Sequence, residues 1–349
     1  MNSKKATIYD IAEMTGYSIG TINRALTGKE RIRKETRDII LDAAKKLGFK
    51  ANEAAQGLHR SPIRIGVILY CQVFEYVDAI RRGFEAKAAE LEKFNVHVDI
   101  HEIPYTTNDE CRREMLEKMR YYSQNGYNGI AFFPSSTRTQ LQGLDKLIDE
   151  ITDNGIAVAT VAADIQPSSR ALYVGIDAFT AGRMAAEMLH LICPGKEVAL
   201  LTSTRDSEIN SGYIDGFFDY AGENTFSAVR MYEHYDEPEL VLSETERMIN
   251  ENPSLSGIYM TTANATRACQ HIERITDKRY TIITTDLLNE TPSLLSSGMA
   301  AATIFQDPYK QGSDALGYLY EYITSKESGG VHLITPSIIL SSNVNCYKI

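Results

Sequence analysis

Between Ser18 and Arg24 the sequence gathers two hydroxyls, an amide and a guanidinium on a stretch whose apolar residues, Ile22, Ala25 and Leu26, share one side of a helix. Ser18, Ile19, Gly20, Thr21, Asn23 and Arg24 are left on its N-terminal and outer faces. Directional donors beside a helix N-terminus suit the base edges of a DNA major groove and the flanking phosphates. A small helical bundle also exposes polar residues for no purpose beyond solubility, so periodicity alone leaves both possibilities open.

Catalytic chemistry finds no such support. There is no GxGxxG after a strand, no GxxxxGK[ST], no GxSxG and no HExxH. The seven histidines are scattered; His97 and His101 share a strand edge but lack a nearby carboxylate pair or cysteine, and they are expected to be structural or surface residues. Five widely spaced cysteines without a CxxC pair argue against disulfides and structural zinc. The expectation is therefore no catalytic residue, no metal, no cofactor and no enzyme.

The elements that must position the polar helix are readable around it. Thr7 and Asp10 have capping-box spacing, and Ile8, Ile11 and Ala12 line one face of a first helix. Thr15, Gly16 and Tyr17 make a short turn, and Ser18 is a suitable N-cap for the second helix. Ile40, Ala43, Ala44 and Leu47 mark a third, ending at Gly48. Three helices in this arrangement predict helix-turn-helix geometry.

A chain of 349 residues with 43% hydrophobic content can bury two or three domains. Its longest apolar runs, Ile65 to Tyr70 and Ile156 to Ala163, are far short of the ~20 residues that span a bilayer. The polar N-terminus lacks a signal-peptide core, so a cytoplasmic location and no membrane partner are expected. The net charge of -10 is unevenly divided: residues 1 to 60 hold 12 Lys and Arg against 7 Asp and Glu, and the rest holds 24 against 39. A basic head on an acidic body is what a protein needs when only its head meets a polyanion.

From Ile63 onward, short apolar runs alternate with amphipathic helical patterns: Arg64 to Leu69, Val96 to Ile103, Gly129 to Phe133, Ala157 to Val161, Tyr173 to Ile176, Val198 to Thr202, Ala228 to Tyr232, Gly257 to Met260, Thr281 to Thr285 and Ala302 to Phe305. The alternation predicts an α/β body of parallel sheets covered by helices. Ten strands suit two lobes better than one sheet, with a ligand where strand C-terminal ends open into the cleft between them.

The stretches Ala6–Ala12 (ATIYDIA), Ser18–Leu26 (SIGTINRAL), Thr27–Lys29, Glu35–Arg37, Leu47–Phe49 and Asn52–Leu58 (NEAAQGL) resemble the DNA-binding head of the LacI/GalR repressor family. The resemblance implies that Ile19, Gly20 and Arg24 occupy base-reading positions and that Thr7, Ser18, Thr21 and Asn23 mainly hold phosphates. It also implies that Asn52, Ala55 and Leu58 belong to a hinge that becomes helical on DNA, the leucine wedging into the minor groove. Gly20 has no side chain to read a base, Asn23 replaces a usual serine, and Ala51 replaces a usual proline.

Val174–Asp177 (VGID), Ala181–Ala186 (AGRMAA), Gly257–Tyr259 and Ile304–Gln306 extend the likeness to the family's periplasmic-binding-protein-like effector domain. By that resemblance Tyr70, Phe74, Tyr76, Pro134, Ser135, Thr262, Asn264, Asp286 and Gln306 would line the ligand cleft. Tyr213 stands where relatives carry an arginine that clamps ligands, and Ala162 where they commonly place a polar residue. The implied organisation is a helix-turn-helix domain over residues 1–49, a hinge over 50–61 and a two-lobed effector and dimerisation body over 62–349.

The function expected is that of a transcriptional regulator and repressor, a homodimer or tetramer on a double-stranded DNA operator, controlled by a sugar or sugar-like effector. Alternatives are control by a phosphocarrier protein or, from another class, a solute-binding protein. The hinge assignment predicts that Leu58→Ala reduces operator bending; an unchanged bend angle in a circular-permutation gel shift removes the leucine from that role.

Overall fold

The computed structural model describes residues 6–26, 32–47, 49, 61–71, 73–134, 141, 143–224 and 226–347. The chain divides into two compact units, a small one built on the N-terminal helices and a large α/β one. The hinge residues Asn52, Ala55 and Leu58, the turn Thr27–Lys29, Gly48 and Ser135 lie outside the described residues.

In the small unit, α1 spans Ile8–Thr15, α2 Ile19–Leu26 and α3 Lys34–Lys46. The capping box forms as expected: Asp10 reaches back to accept the Thr7 backbone N–H and hydroxyl, each at 2.6 Å. Gly16 ends α1 at φ 71°, a left-handed conformation that glycine adopts without steric cost. Ser18 Oγ accepts the Thr21 N–H at 3.3 Å at the start of α2. Ile11, Ile22, Ala25, Ile40, Ala43 and Ala44 form the core, with Leu26 and Leu47 packed against it. An apolar set this small leaves the rest of α2 outward.

The large unit holds β1 (Ile63–Cys71), α4 (Phe74–Leu91), β2 (Val96–Pro104), α5 (Asn108–Gln124), β3 (Gly129–Phe133), α6 (Leu144–Asp153), β4 (Ala157–Val161) and β5 (Leu172–Ile176). It continues through α7 (Ala178–Ile192), β6 (Glu197–Thr202), α8 (Glu208–Glu223), β7 (Ala228–Glu233), α9 (Pro238–Glu251), β8 (Leu255–Met260), α10 (Ala265–Ile275) and β9 (Thr281–Thr285). The last elements are α11 (Thr291–Ser296), β10 (Ala302–Phe305), α12 (Pro308–Ser325), β11 (Gly330–Ile334) and β12 (Ser337–Ile339).

Two six-stranded sheets result, ordered β11-β5-β4-β3-β1-β2 and β12-β10-β9-β8-β6-β7. Their central strands pair in parallel, and β12 joins β10 antiparallel. All ten expected strands are present, each within two residues of its expected ends. The two that were not foreseen, β11 and β12, sit at sheet edges, and Val331 and Leu333 of β11 are more than half exposed. An edge strand without a continuous apolar run carries little sequence signal.

The chain passes between the lobes three times, near Asp177, Gln306 and Thr335. Helix α7 follows a strand of the first sheet but packs Ala181, Ala185 and Leu189 into the core of the second, with Val198, Leu200 and Ile283. Helix α12 follows a strand of the second sheet but lies on the first, where Leu319 and Ile323 approach Gly129. Each displaced helix meets the helix that follows its host sheet's first strand at a glycine. A Cβ added at Gly312 would lie 2.1 Å from the Ile80 carbonyl oxygen, and one at Gly83 2.0 Å from that of Tyr309. In the second lobe, a Cβ added at Gly182 would lie 2.1 Å from the Tyr213 carbonyl oxygen, and one at Gly216 2.0 Å from that of Phe179. Backbone meets backbone at both crossings, with no room for a methyl group.

Gly312→Ala should therefore lower the unfolding free energy by about 1–3 kcal/mol, the usual cost of overpacking. Gly222→Ala, at a helical glycine with open space around it, should raise it by about 0.5–1 kcal/mol. Urea denaturation of both variants checks the pair, and equal effects would remove the special status of the crossing.

Candidate functional site

On α2, Ile22 and Ala25 are buried while Ser18, Ile19, Gly20, Asn23 and Arg24 are exposed and Thr21 is half-buried. Ser18 Oγ and Thr21 Oγ1 share a hydrogen bond of 2.9 Å, and Arg24 Nε donates to the Gly20 carbonyl at 3.1 Å. Thr7 is exposed at the start of α1. The arginine thus lies along its own helix with further N–H donors to spare, and Ile19, 38% exposed, offers an apolar surface suited to a thymine methyl.

The large unit carries a cavity of about 130 Å³ where the strands end. That is well above the ~10–15 Å³ one water needs. Tyr70 reaches it from β1, Phe133 from β3, Ser203 from just beyond β6, Asp236 from beyond β7, Thr262 from beyond β8, Asp286 from beyond β9 and Gln306 from beyond β10. Tyr76 comes from α4, and Asn210 and Tyr213 from α8. The arrangement follows from parallel sheets, whose strand C-termini all point the same way.

Asp286 is the most constrained of these residues. Its φ is 75°, and its backbone is held by Thr303 Oγ1, which donates to its carbonyl at 2.6 Å, and by its own N–H, which donates to the Ile304 carbonyl at 2.9 Å. Gln306 Nε2 donates to Asp286 Oδ1 at 2.6 Å. Desolvation nevertheless dominates and pushes the carboxyl up to about 7, the Gln306 hydrogen bond opposing it. Tyr76 donates its hydroxyl to Gln306 Oε1 at 3.3 Å and accepts from Gln311 Nε2 at 3.2 Å. A hydrogen-bonded chain therefore runs from a helix of the first lobe, through a crossover segment, to a carboxylate of the second.

Asp236 is the second carboxylate. It follows Tyr235 in left-handed backbone, with φ of 54° and 59°, a conformation uncommon for residues other than glycine. Its N–H donates to His234 Nδ1 at 3.1 Å, and its carboxylate accepts from Asn264 Nδ2 at 3.1 Å. Burial raises its carboxyl against the hydrogen bonds of Asn264, Ser203 and Thr262. His234 is fully buried, and burial pushes its imidazole down to about 4, so it is neutral at pH 7. The phenol oxygen of Tyr213, 1% exposed, has no hydrogen-bond partner among the described residues.

Of the residues expected to line the cleft, Tyr70, Tyr76, Tyr213, Thr262, Asp286 and Gln306 meet at this cavity. Phe74 is 68% exposed and lies apart from it. Asn264 supports Asp236 from behind, and Pro134 is buried next to the lining residue Phe133. Ala162 is buried at φ 63°, and its carbonyl accepts the Tyr173 hydroxyl at 3.2 Å, so this position contributes backbone to the structure. Asp236, Ser203 and Asn210 went unforeseen, although the rule that ligands gather at strand C-termini would have marked the first two. His101, expected to be a structural or surface residue, shares a hydrogen bond of 2.8 Å with Glu114 of α5. Among the described residues no metal-ligand cluster occurs, and no helix is long and apolar enough to cross a membrane.

Comparison with known proteins places these observations. Residues 7–52 match the description "Bacterial regulatory proteins, lacI family", and residues 65–327 match a periplasmic binding protein domain. The chain is 25% identical over 237 residues to the HTH-type transcriptional regulator pepR1 of Lactobacillus delbrueckii subsp. lactis, covering 67% of this chain and 66% of that one. It is 29% identical over 126 residues to the ribose operon repressor of Bacillus subtilis, covering 36% of each. The matches thus span just under two thirds or less of these relatives' lengths. A solved ABC transporter solute-binding protein from Burkholderia graminis, in complex with D-arabinose, shares the fold with a TM-score of 0.71 at 19% identity, covering 82% of this chain and 98% of that one.

A carboxyl raised by burial binds a proton that the unfolded chain has already released, so between pH 4 and pH 7 rising pH destabilises the folded state. Asp286→Asn should remove this effect. Its thermal midpoint, close to the parent's at pH 5, should exceed it at pH 8, with a difference on the order of 3 kcal/mol. Parallel pH profiles of the two proteins would show that the carboxylate is compensated.

Proposed function

The chain belongs to the lacI family of bacterial regulatory proteins, with a periplasmic binding protein domain as its body, and from that premise we propose that it is a DNA-binding transcriptional repressor governed by a small molecule in the cleft. The observation that carries the proposal is the exposed face of α2, where Ser18, Ile19, Gly20, Asn23 and Arg24 stand outward over the buried Ile22 and Ala25. In this proposal Ile19, Gly20 and Arg24 meet base edges, while Thr7, Ser18, Thr21 and Asn23 hold phosphates. Asn52, Ala55 and Leu58 form the hinge.

The chain acts as a homodimer on a pseudo-palindromic operator. One head buries roughly 600–1,000 Å² on DNA, and tethering two heads makes the second contact intramolecular. The effector is a sugar or sugar derivative, a class supported by the name of the ribose operon repressor and by the arabinose held by the solute-binding protein. It binds among Tyr70, Tyr76, Tyr213, Thr262, Asp286 and Gln306, and the hydrogen-bonded chain from Asp286 to Tyr76 makes lobe closure sensitive to what Asp286 binds. A coupling of roughly 1–3 kcal/mol changes operator occupancy five- to 150-fold.

The test is to select a preferred duplex from random fragments and titrate it at several salt concentrations. Arg24→Ala should bind random duplex as the parent does while losing about 1–3 kcal/mol of preference for the selected site. A parent protein that prefers no duplex, or an Arg24 variant with undiminished preference, overturns the assignment.

A further inference from the structure

Resting on the reading of the cleft as an effector site, the geometry points to a narrower ligand class: a sugar-sized molecule bearing a positively charged nitrogen, held between the carboxylates of Asp236 and Asp286 and the ring of Tyr213. Three observations carry it. First, both carboxylates face the same cavity, and no lysine, arginine or histidine lines it among the described residues. The neighbouring His234 gives Asp236 no countercharge, because it is buried and neutral, with its Nδ1 accepting a backbone N–H.

Second, the donors that serve these carboxylates are neutral: Gln306 for Asp286, and Asn264 for Asp236. Neutral donors offset part of the desolvation of an ion; a cation offsets far more, since charge-assisted hydrogen bonds are roughly twice as strong. Third, the Tyr213 phenol oxygen is buried, lines the cavity and has no partner among the described residues. A buried hydroxyl left unpaired is costly, and an ammonium N–H is the donor it lacks. Tyr76, Tyr213 and Phe133 also line the cavity, and aromatic side chains attract a cation. A phosphate or carboxylate on the ligand would meet two carboxylates in one cavity, and a neutral hydroxyl would supply only the weaker, uncharged hydrogen bond.

Asp236 is the residue that sets this preference. It is held in left-handed backbone, and such strain is characteristic of functional sites.

The experiment measures binding to the full chain at pH 7.5 by thermal shift and calorimetry. D-glucosamine, D-galactosamine and D-mannosamine are each compared with the parent hexose, the N-acetyl derivative and the 6-phosphate. At least one amine should bind ten-fold or more tightly than its three counterparts, and Asp236→Asn should reduce that ratio to three-fold or less without lowering the melting temperature of the free protein. If the Asp236 variant fails to fold, Asp286→Asn is read in the same way. A hexose or phosphate that binds as well as its amine, or the absence of binding by all three amines, overturns the inference. Duplex binding is measured separately on the same preparation: a protein that selects an operator but prefers neutral sugars keeps the regulator assignment and loses this one, whereas one that binds amines without selecting DNA does the reverse.

Discussion

Where α12 crosses α4, and again where α7 crosses α8, a glycine lies so close to a carbonyl oxygen that no side chain can intervene. The cleft depends on this contact. Each lobe is covered by a helix that follows a strand of the other lobe, and close-packed interiors transmit small displacements instead of absorbing them. At the first crossing, Gly312 stands next to Gln311, whose amide holds Tyr76 and the Gln306 carbonyl. The helix contact therefore sets the position of the polar chain that reaches Asp286. Wider spacing would separate the hydroxyl from both glutamines and disconnect the lobes.

Different parts of the molecule were legible to different degrees. The three-helix head could be read because its apolar residues recur at helical spacing and its capping residues are local, needing no knowledge of the rest of the fold. Ten strands could be read because buried parallel strands are almost continuously apolar; β11 was missed because it is an edge whose outward residues break that continuity. The site was legible mainly through resemblance. Asp286 and Gln306 sit at strand ends that the family resemblance implies to be ligand-lining, but nothing in the sequence around Asp236 separates it from an ordinary loop aspartate. Its significance comes from its place at the cavity beside a buried, neutral histidine, a tertiary fact. Phe74 and Asn264 show the converse: correct neighbourhood does not fix which way a side chain faces.

The charge division seen in the composition acquires a spatial meaning. The basic excess is confined to the head, where polar side chains stand on an exposed helix, whereas the acidic excess of the body includes Asp286, drawn partly out of water at the cavity that Asp236 also lines. A surface carboxylate is solvated at little cost, but a buried one holds free energy that a ligand can release. The cleft is thus less stable than its packing allows, which is the usual condition of a site that waits for a partner.

At the second crossing, what Gly182 meets is the main-chain oxygen of Tyr213, while the tyrosine's ring lies in the cavity. One residue serves the scaffold with its backbone and the cavity with its side chain, and the two duties are chemically separate. A lineage can exchange the side chain at this position, arginine for tyrosine or tyrosine for something else, without moving the helices. The cavity's chemistry can then diversify across descendants while the helix crossing that frames it is inherited intact.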